Sequence, residues 1–285
     1  MTSRTSSFFR FLKWLPLLAL AGCSPATFVN TLTFGGDYEL QSDIAYGTSP
    51  RQKLDIYRPE KAKNAPIVVF FYGGNWQDGS KDLYLFLGKA LADRGFLTVI
   101  LDYRVYPDVR YPTFLEDGAQ ALRWVQDHGA EEGGDTRRIF LLGHSAGAYN
   151  AAMLTLDKRW LTEAGFDMSR LKGLVGLAGP YDFLPLTDPT LKIIFGPPEH
   201  WPETQPIRYA RADAPPMLLV TGTDDDTVKP GNTTRLAQRQ RELGASAEEK
   251  YYPGVGHIEL IGSFSWLLRF RAPALADTVD FMRAH

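Results

Sequence analysis

The run LLGHSAGAYN, residues 141–150, sets Ser145 among residues with almost no side-chain bulk: Gly143, Ala146, Gly147 and Ala148. It matches the pattern G-x-S-x-G, in which a serine at a tight strand-to-helix turn presents its hydroxyl as a nucleophile. Small neighbours are needed because such a turn holds the serine in a strained backbone conformation. The same run would suit a plain glycine-rich corner, so the partners of the serine decide between the two. A serine hydroxyl at its ordinary pKa needs a base. Of the five histidines, His128 ends a helix, His200 lies in an irregular segment and His285 is the last residue. His144, adjacent to the serine, is expected to point off the opposite side of the turn. His257, in YPGVGHIEL, sits in a glycine-rich loop after the last strand and is the candidate base.

The base in turn needs an acid to hold its tautomer and stabilise its cation. MLLVTGTDDDTVKP supplies Asp224, Asp225 and Asp226 at the carboxyl end of a strand, between the serine and the histidine. Only one of the three can face His257. Asp225, three residues after Gly222 and three before Val228, is favoured. An oxyanion formed by attack of the serine needs backbone donors. FFYGGNWQDG, residues 70–79, offers the amides of Gly74 and Asn75 on a chain that can approach a substrate closely, and Ala146 offers a third. The chemistry implied is acyl transfer through a covalent serine intermediate.

Alternating strands and helices must carry these groups. Strands are expected at 52–59, 66–72, 96–104, 137–143, 171–179, 216–222 and 248–253, several of them continuous apolar runs, as in strands buried on both faces. Helices fall between them: one capped by Ser80 and stopped by Gly95, then Thr113 to His128, 146–156, 231–243 and 273–283. An irregular, proline-rich insertion spans roughly 180–215. The alternation predicts an α/β fold, a mostly parallel central sheet with helices on both faces, built as a single domain over 34–285.

Composition limits the partners. A formal net charge of -2 removes the electrostatic case for nucleic acid. No paired histidines stand at ligand spacing, and the aspartate run lacks the spacing of a calcium loop, so neither metal nor other cofactor is expected. The N-terminus is different in kind. Arg4, Arg10 and Lys13 precede an apolar stretch from Trp14 to Ala21, and small residues follow, which is the order of a secretory signal. The stretch is too short to span a bilayer, which takes roughly 20 apolar residues. The sole cysteine, Cys23, follows Leu20-Ala21-Gly22, and this LAGC resembles the lipobox of bacterial lipoproteins. The resemblance implies a signal peptide over 1–22, a lipid on Cys23 that binds the membrane, a polar tether over 23–33, and a place in the bacterial cell envelope. Ser24 rather than aspartate follows the cysteine, which implies the outer membrane, facing the periplasm.

Taken together, LDIYRP, FYGGNW, DYRVYP, GHSAG, GTDDDTV and PGVGH, spread from about residue 52 to 260, resemble the α/β-hydrolase superfamily. The pattern is nearest to bacterial carboxylesterases and to the kynurenine formamidase and isoprenylcysteine methylesterase groups. The resemblance implies Ser145 as nucleophile, His257 as base, Asp225 as acid, and a small ester as substrate. An amide or formamide substrate for the same triad is the near alternative; a non-catalytic scaffold is the distant one. Tyr72 departs from the family, which normally has histidine before the two glycines to brace the oxyanion loop. Trp76, Tyr149 and Tyr181, each neighbouring a catalytic loop, are expected to line the substrate pocket.

Overall fold

The computed structural model describes residues 29–33 and 35–285; the signal stretch, Cys23 and the outer tether lie outside the described residues. The chain forms one eight-stranded sheet in the order β1-β2-β4-β3-β5-β6-β7-β8. Its strands are β1 (Tyr38–Ala45), β2 (Lys53–Pro59), β3 (Ala65–Phe71), β4 (Leu97–Leu101), β5 (Gly134–His144), β6 (Leu171–Leu177), β7 (Met217–Gly222) and β8 (Ala247–Tyr252). β2 runs antiparallel to both β1 and β4, and every pair from β4 to β8 is parallel. The sequence expectation missed β1. Its residues YELQSDIA are mostly exposed at the sheet edge and carry no apolar run to betray them.

Among the described residues the helical layers are built from α1 (Leu85–Ala92), α2 (Thr113–His128), α3 (Ala146–Leu156), α4 (Lys158–Glu163), α5 (Pro189–Phe195), α6 (Gly231–Glu242), α7 (His257–Gly262) and α8 (Ala274–Ala284). They cover both faces of the sheet. Neighbouring side chains of a strand point to opposite faces, and β3 shows it. The Phe70 ring meets Tyr84 just before α1, whereas Phe71 lies against Gly118 of α2. Phe140 of β5, opposite Val68 in register and so on the Phe70 face, packs with Phe281 of α8 around Gly173. Hence α1 and α8 share one face, while α2, α3 and α4 pack on each other on the second. The central strands β4 and β7 are wholly buried, which accounts for their unbroken apolar runs.

Two expectations need correction. The insertion is not irregular throughout: it contains α5 and 3₁₀ turns at Pro198–Thr204 and Pro206–Tyr209. Nor is 29–33 a free tether. Val29 is buried, Asn30 Nδ2 donates to the Asp82 carbonyl (2.8 Å), and the Trp266 indole donates to the Leu32 carbonyl (2.9 Å).

Candidate active site

Ser145 joins β5 to α3 at φ 56 and ψ -125, a conformation a non-glycine residue adopts only under constraint. The constraints are visible. Its amide donates to the Leu177 carbonyl of β6 (2.9 Å). A Cβ on Gly147 would stand 2.0 Å from the Phe71 carbonyl oxygen, and one on Gly143 would stand 2.4 Å from that of Gly147. No side chain fits at either position, so the turn has the tight, strained geometry of a nucleophile elbow, and the partners of the serine decide whether it serves as one.

His257 Nε2 lies 2.9 Å from Ser145 Oγ, and its Nδ1 lies 2.8 Å from Asp225 Oδ2. The remaining Asp225 oxygen, Oδ1, accepts from the amides of Thr227 (3.0 Å) and Val228 (2.8 Å). Asp224 and Asp226 are both exposed, and the Asp224 carboxylate accepts from Thr223 Oγ1. The structure therefore brings together the three residues expected, and the middle aspartate is the one engaged. Burial pushes the Asp225 carboxyl up, but the hydrogen bonds from His257 and the Val228 amide outweigh it and hold the group below the usual carboxylate range. All three side chains stand at the carboxyl ends of β5, β7 and β8, where open α/β sheets place their ligands. His257 differs from expectation in one respect: it is the first residue of α7, not part of a loop.

The loop after β3 bends through three successive positive φ values, at Gly74 (136°), Asn75 (56°) and Trp76 (58°). The Gly74 carbonyl accepts from the amides of Gln77 (2.9 Å) and Asp78 (3.0 Å), closing a tight turn. No acceptor among the described residues takes the amides of Gly74, Asn75 or Ala146. Asn75 and Ala146 line the same cavity as Ser145, while Gly74 does not and serves as the bend behind them.

Tyr72 is wholly buried and braces this loop. Its hydroxyl donates to Asp102 Oδ1 (2.6 Å) and accepts from Arg51 Nη2 (3.0 Å). Arg51 also donates to the carbonyls of Gly79 (2.5 Å) and Tyr103 (2.7 Å), and Asp102 Oδ1 takes the Lys81 amide (2.8 Å). The loop from 73 to 81 is thus held at both ends by one polar cluster. Burial, with Tyr103 and Asp102 beside it, keeps the Tyr72 hydroxyl far above its ordinary pKa, so it remains a donor. Tyr72 thus supplies a hydrogen-bonded brace for this loop at the position where the resemblance implies histidine. Arg51 and Asp102 were not singled out in the sequence, since nothing local marks their convergence.

The cavity at Ser145 has a volume of about 520 Å³. Trp76 lines it, its indole donating to Asn150 Oδ1 (2.9 Å). Tyr149 and Tyr181 do not reach it, contrary to expectation. Tyr149 is buried behind Trp76, ring edge to ring face at 5.0 Å, and donates to the Thr204 carbonyl (2.7 Å). Tyr181 folds back against Gly176 and Gly179. The apolar wall instead comes from Phe183, Leu184 and Leu191 of the insertion, with Lys229 and Arg235 at its polar side.

A model of the family described as BD-FAE matches residues 54–239, from β2 to α6 and across Ser145 and Asp225. The chain belongs to the BD-FAE family. It is 30% identical over 244 residues to the isoprenylcysteine alpha-carbonyl methylesterase ICME of Arabidopsis thaliana, covering 78% of this chain and 57% of that one. It is 28% identical over 224 residues to kynurenine formamidase of Danio rerio, covering 78% and 71%. The chain spans between 51% and 58% of the length of its methylesterase relatives. Among solved structures, esterase B from Lactobacillus rhamnosis superposes with a TM-score of 0.80 at 18% identity, over 98% of this chain and 96% of that one. The fold is that of an α/β-hydrolase, as the motifs implied.

In this BD-FAE chain the elbow histidine does not simply turn away. His144 is buried, its ring 4.8 Å from that of His257, with Nε2 3.2 Å from the His257 carbonyl. That partner requires Nε2 to carry the proton, and Nδ1 has no partner among the described residues. Burial, then the neighbouring His257, pushes the group down to about 3. In the unfolded chain His144 takes up a proton near its usual 6.5, whereas the folded state refuses it until about 3. Stability is therefore lost as pH falls from 6.5 towards 3. Between pH 7 and pH 5 the wild type is expected to lose about 2 kcal/mol more unfolding free energy than His144→Gln. Urea titrations at the two pH values measure it; equal losses would remove the assignment.

Proposed function

We propose that this protein is a serine hydrolase of carboxylic esters acting through an acyl-enzyme. The observation that carries the reading is the continuous relay from Asp225 through His257 to Ser145, at 2.8 and 2.9 Å. His257 takes the serine proton as Oγ attacks the ester carbonyl. The Asn75 and Ala146 amides receive the developing oxyanion, and Gly74 sets their bend. His257 then gives its proton to the departing alcohol, and water repeats the two steps to release the acid. A cavity of about 520 Å³ with a wall of Trp76, Phe183 and Leu191 favours a small ester with a short acyl chain. The methylesterase likeness favours a small alcohol as leaving group.

Reaction with a fluorophosphonate probe tests the reading: the wild type is expected to label and Ser145→Ala to remain unlabelled. An unlabelled wild type would leave a binding scaffold in its place. The likeness to kynurenine formamidase supports an amide substrate as the second reading. Hydrolysis of N-formylkynurenine measured beside a p-nitrophenyl ester ranks the two. Trp76→Ala enlarges the cavity and is expected to raise activity on hexanoyl relative to acetyl esters about tenfold, the worth of roughly two of the four added methylenes finding new apolar contact at roughly 0.8 kcal/mol each. Unchanged ratios across the ester series would take Trp76 out of the acyl pocket.

Export and a lipid on Cys23 complete the proposal, placing the domain at the outer membrane on its periplasmic side. The lipobox-like Leu20-Ala21-Gly22-Cys23 supports it. Intact-mass measurement of the protein purified from bacterial membranes is expected to show the loss of residues 1–22 and the added acyl mass.

A further inference from the structure

The face of the domain formed by α1 and α8 bears an apolar and basic surface that the hydrolytic site does not use. Between α7 and α8 the chain reads Ser265-Trp266-Leu267-Leu268-Arg269-Phe270-Arg271, and Trp266 and Phe270 are 60% and 81% exposed. Exposed aromatic side chains rimmed by charge mark a contact surface. Beside them gather three arginines, Arg269, Arg94 after α1 and Arg283 in the last turn of α8. Arg283 donates to the Arg94 carbonyl (3.2 Å), Arg94 to that of Ala90 (2.7 Å), and Arg269 to that of Phe264 (3.3 Å). None of the three forms an ion pair with a carboxylate among the described residues. Burial most of all, then the nearby Arg269 and Arg283, holds Arg94 below its usual value against the pull of Asp93.

The position of this surface matters as much as its composition. Leu32, Thr33, Lys89, Trp266 and Arg269 line one groove, and the Trp266 indole holds the Leu32 carbonyl. The segment coming from Cys23 therefore meets the domain at the patch. Cys23 stands six positions before Val29, a reach of about 20 Å when fully extended. A lipid on Cys23 holds the bilayer surface within that reach of Val29, whose near neighbours along the chain, Leu32 and Thr33, line the groove beside Trp266.

We propose that Trp266 and Phe270, with Arg94, Arg269 and Arg283, form a membrane-contact surface that seats the α1–α8 face on a bilayer of anionic lipids. Aromatic rings favour the headgroup level of a bilayer, and arginines beside them attract anionic headgroups. The surface goes beyond the hydrolytic reading and rests on the proposed lipid only for its reach.

An environment-sensitive fluorophore on Phe270→Cys in the full chain, purified from bacterial membranes and reconstituted into phosphatidylglycerol–phosphatidylcholine vesicles, tests it. The same label on Glu163→Cys, at the end of α4 on the opposite face, is the reference. Emission from position 270 is expected to shift to the blue and gain roughly twofold or more in intensity over the reference. Replacing the three arginines with glutamine should lower the gain towards that seen in pure phosphatidylcholine vesicles, with activity on a soluble ester retained. Equal, water-like emission from both positions in protein that co-sediments with the vesicles would overturn the contact surface while leaving the anchor intact. A gain at 270 unaffected by either lipid charge or the arginine changes would overturn the role of the arginines.

Discussion

Asp225→Asn is expected to lower kcat by about 10⁴-fold, whereas Asp224→Asn and Asp226→Asn remain close to the wild type. The asymmetry follows from what each oxygen of Asp225 does. Oδ1 accepts from two backbone amides and Oδ2 faces His257 Nδ1. An asparagine can keep its carbonyl oxygen on the amides only by turning its NH₂ towards the imidazole. Nδ1 must then accept, the ring proton moves to Nε2, and the nitrogen facing Ser145 can no longer take the serine proton. Turning the amide the other way sets NH₂ against two N–H donors. The wild-type carboxyl, held below its ordinary range, stays ionised throughout the neutral region, whereas asparagine carries no charge at any pH and cannot restore the carboxylate. Steady-state rates on a p-nitrophenyl ester from pH 6 to 9, normalised to active sites, give the comparison. A large loss at Asp224 or Asp226 with little at Asp225 would break the relay as drawn.

Gly74→Ala is the second large effect, a loss in kcat of about 10²–10³-fold. The new Cβ would lie 2.1 Å from the Asp78 carbonyl oxygen, a backbone atom that cannot step aside, and φ at 136° is itself hostile to alanine. The turn closed by the Gln77 and Asp78 amides must open, carrying the Asn75 amide away from the oxyanion. Because a phosphonyl oxygen draws on the same donors, fluorophosphonate labelling should slow in parallel with kcat. Gly95→Ala is the control. It too has positive φ, 88°, but its Cβ meets nothing within 4 Å, so it should cost about 1 kcal/mol of stability with kcat unchanged. Full labelling speed in Gly74→Ala would dismiss the loop as an oxyanion donor.

The features readable in the sequence share a physical cause. β3, β4 and β7 are buried on both faces, so nothing interrupts their apolar runs, and each catalytic residue falls within five positions of the carboxyl end of a strand. The serine motif and the order of serine, acid and base along the chain then locate Ser145, Asp225 and His257. Where a conclusion needed the direction of a side chain, adjacency misled. Tyr149 lies one helical turn beyond the serine, and its ring is carried behind Trp76 instead of into the cavity. Tyr181 follows Ala178, whose φ of 50° folds the chain back and lays the ring on Gly176 and Gly179. The convergence of Arg51, Tyr72 and Asp102 spans about fifty residues of chain and leaves no local signature. β1, mostly exposed at an edge, needs no continuous apolar run, and its Leu40 and Ile44 stand too far apart to make one.

The division of labour around Ser145 has a consequence for how this protein can be altered. Nucleophile, base, acid and oxyanion donors all hang from the ends of the sheet, whereas the apolar wall at Phe183 and Leu191 belongs to the insertion. That insertion is pinned by side chains that take no part in the reaction: Asn232 accepts from the amides of Tyr181 (3.0 Å) and Asp182 (2.9 Å), and Gln205 from that of Phe183 (2.8 Å). Residues 183–191 can therefore be exchanged between relatives as a cassette, provided Asn232 and Gln205 are kept. Substrate choice becomes a replaceable part, and natural drift in that stretch would diversify the esters accepted without retuning the chemistry.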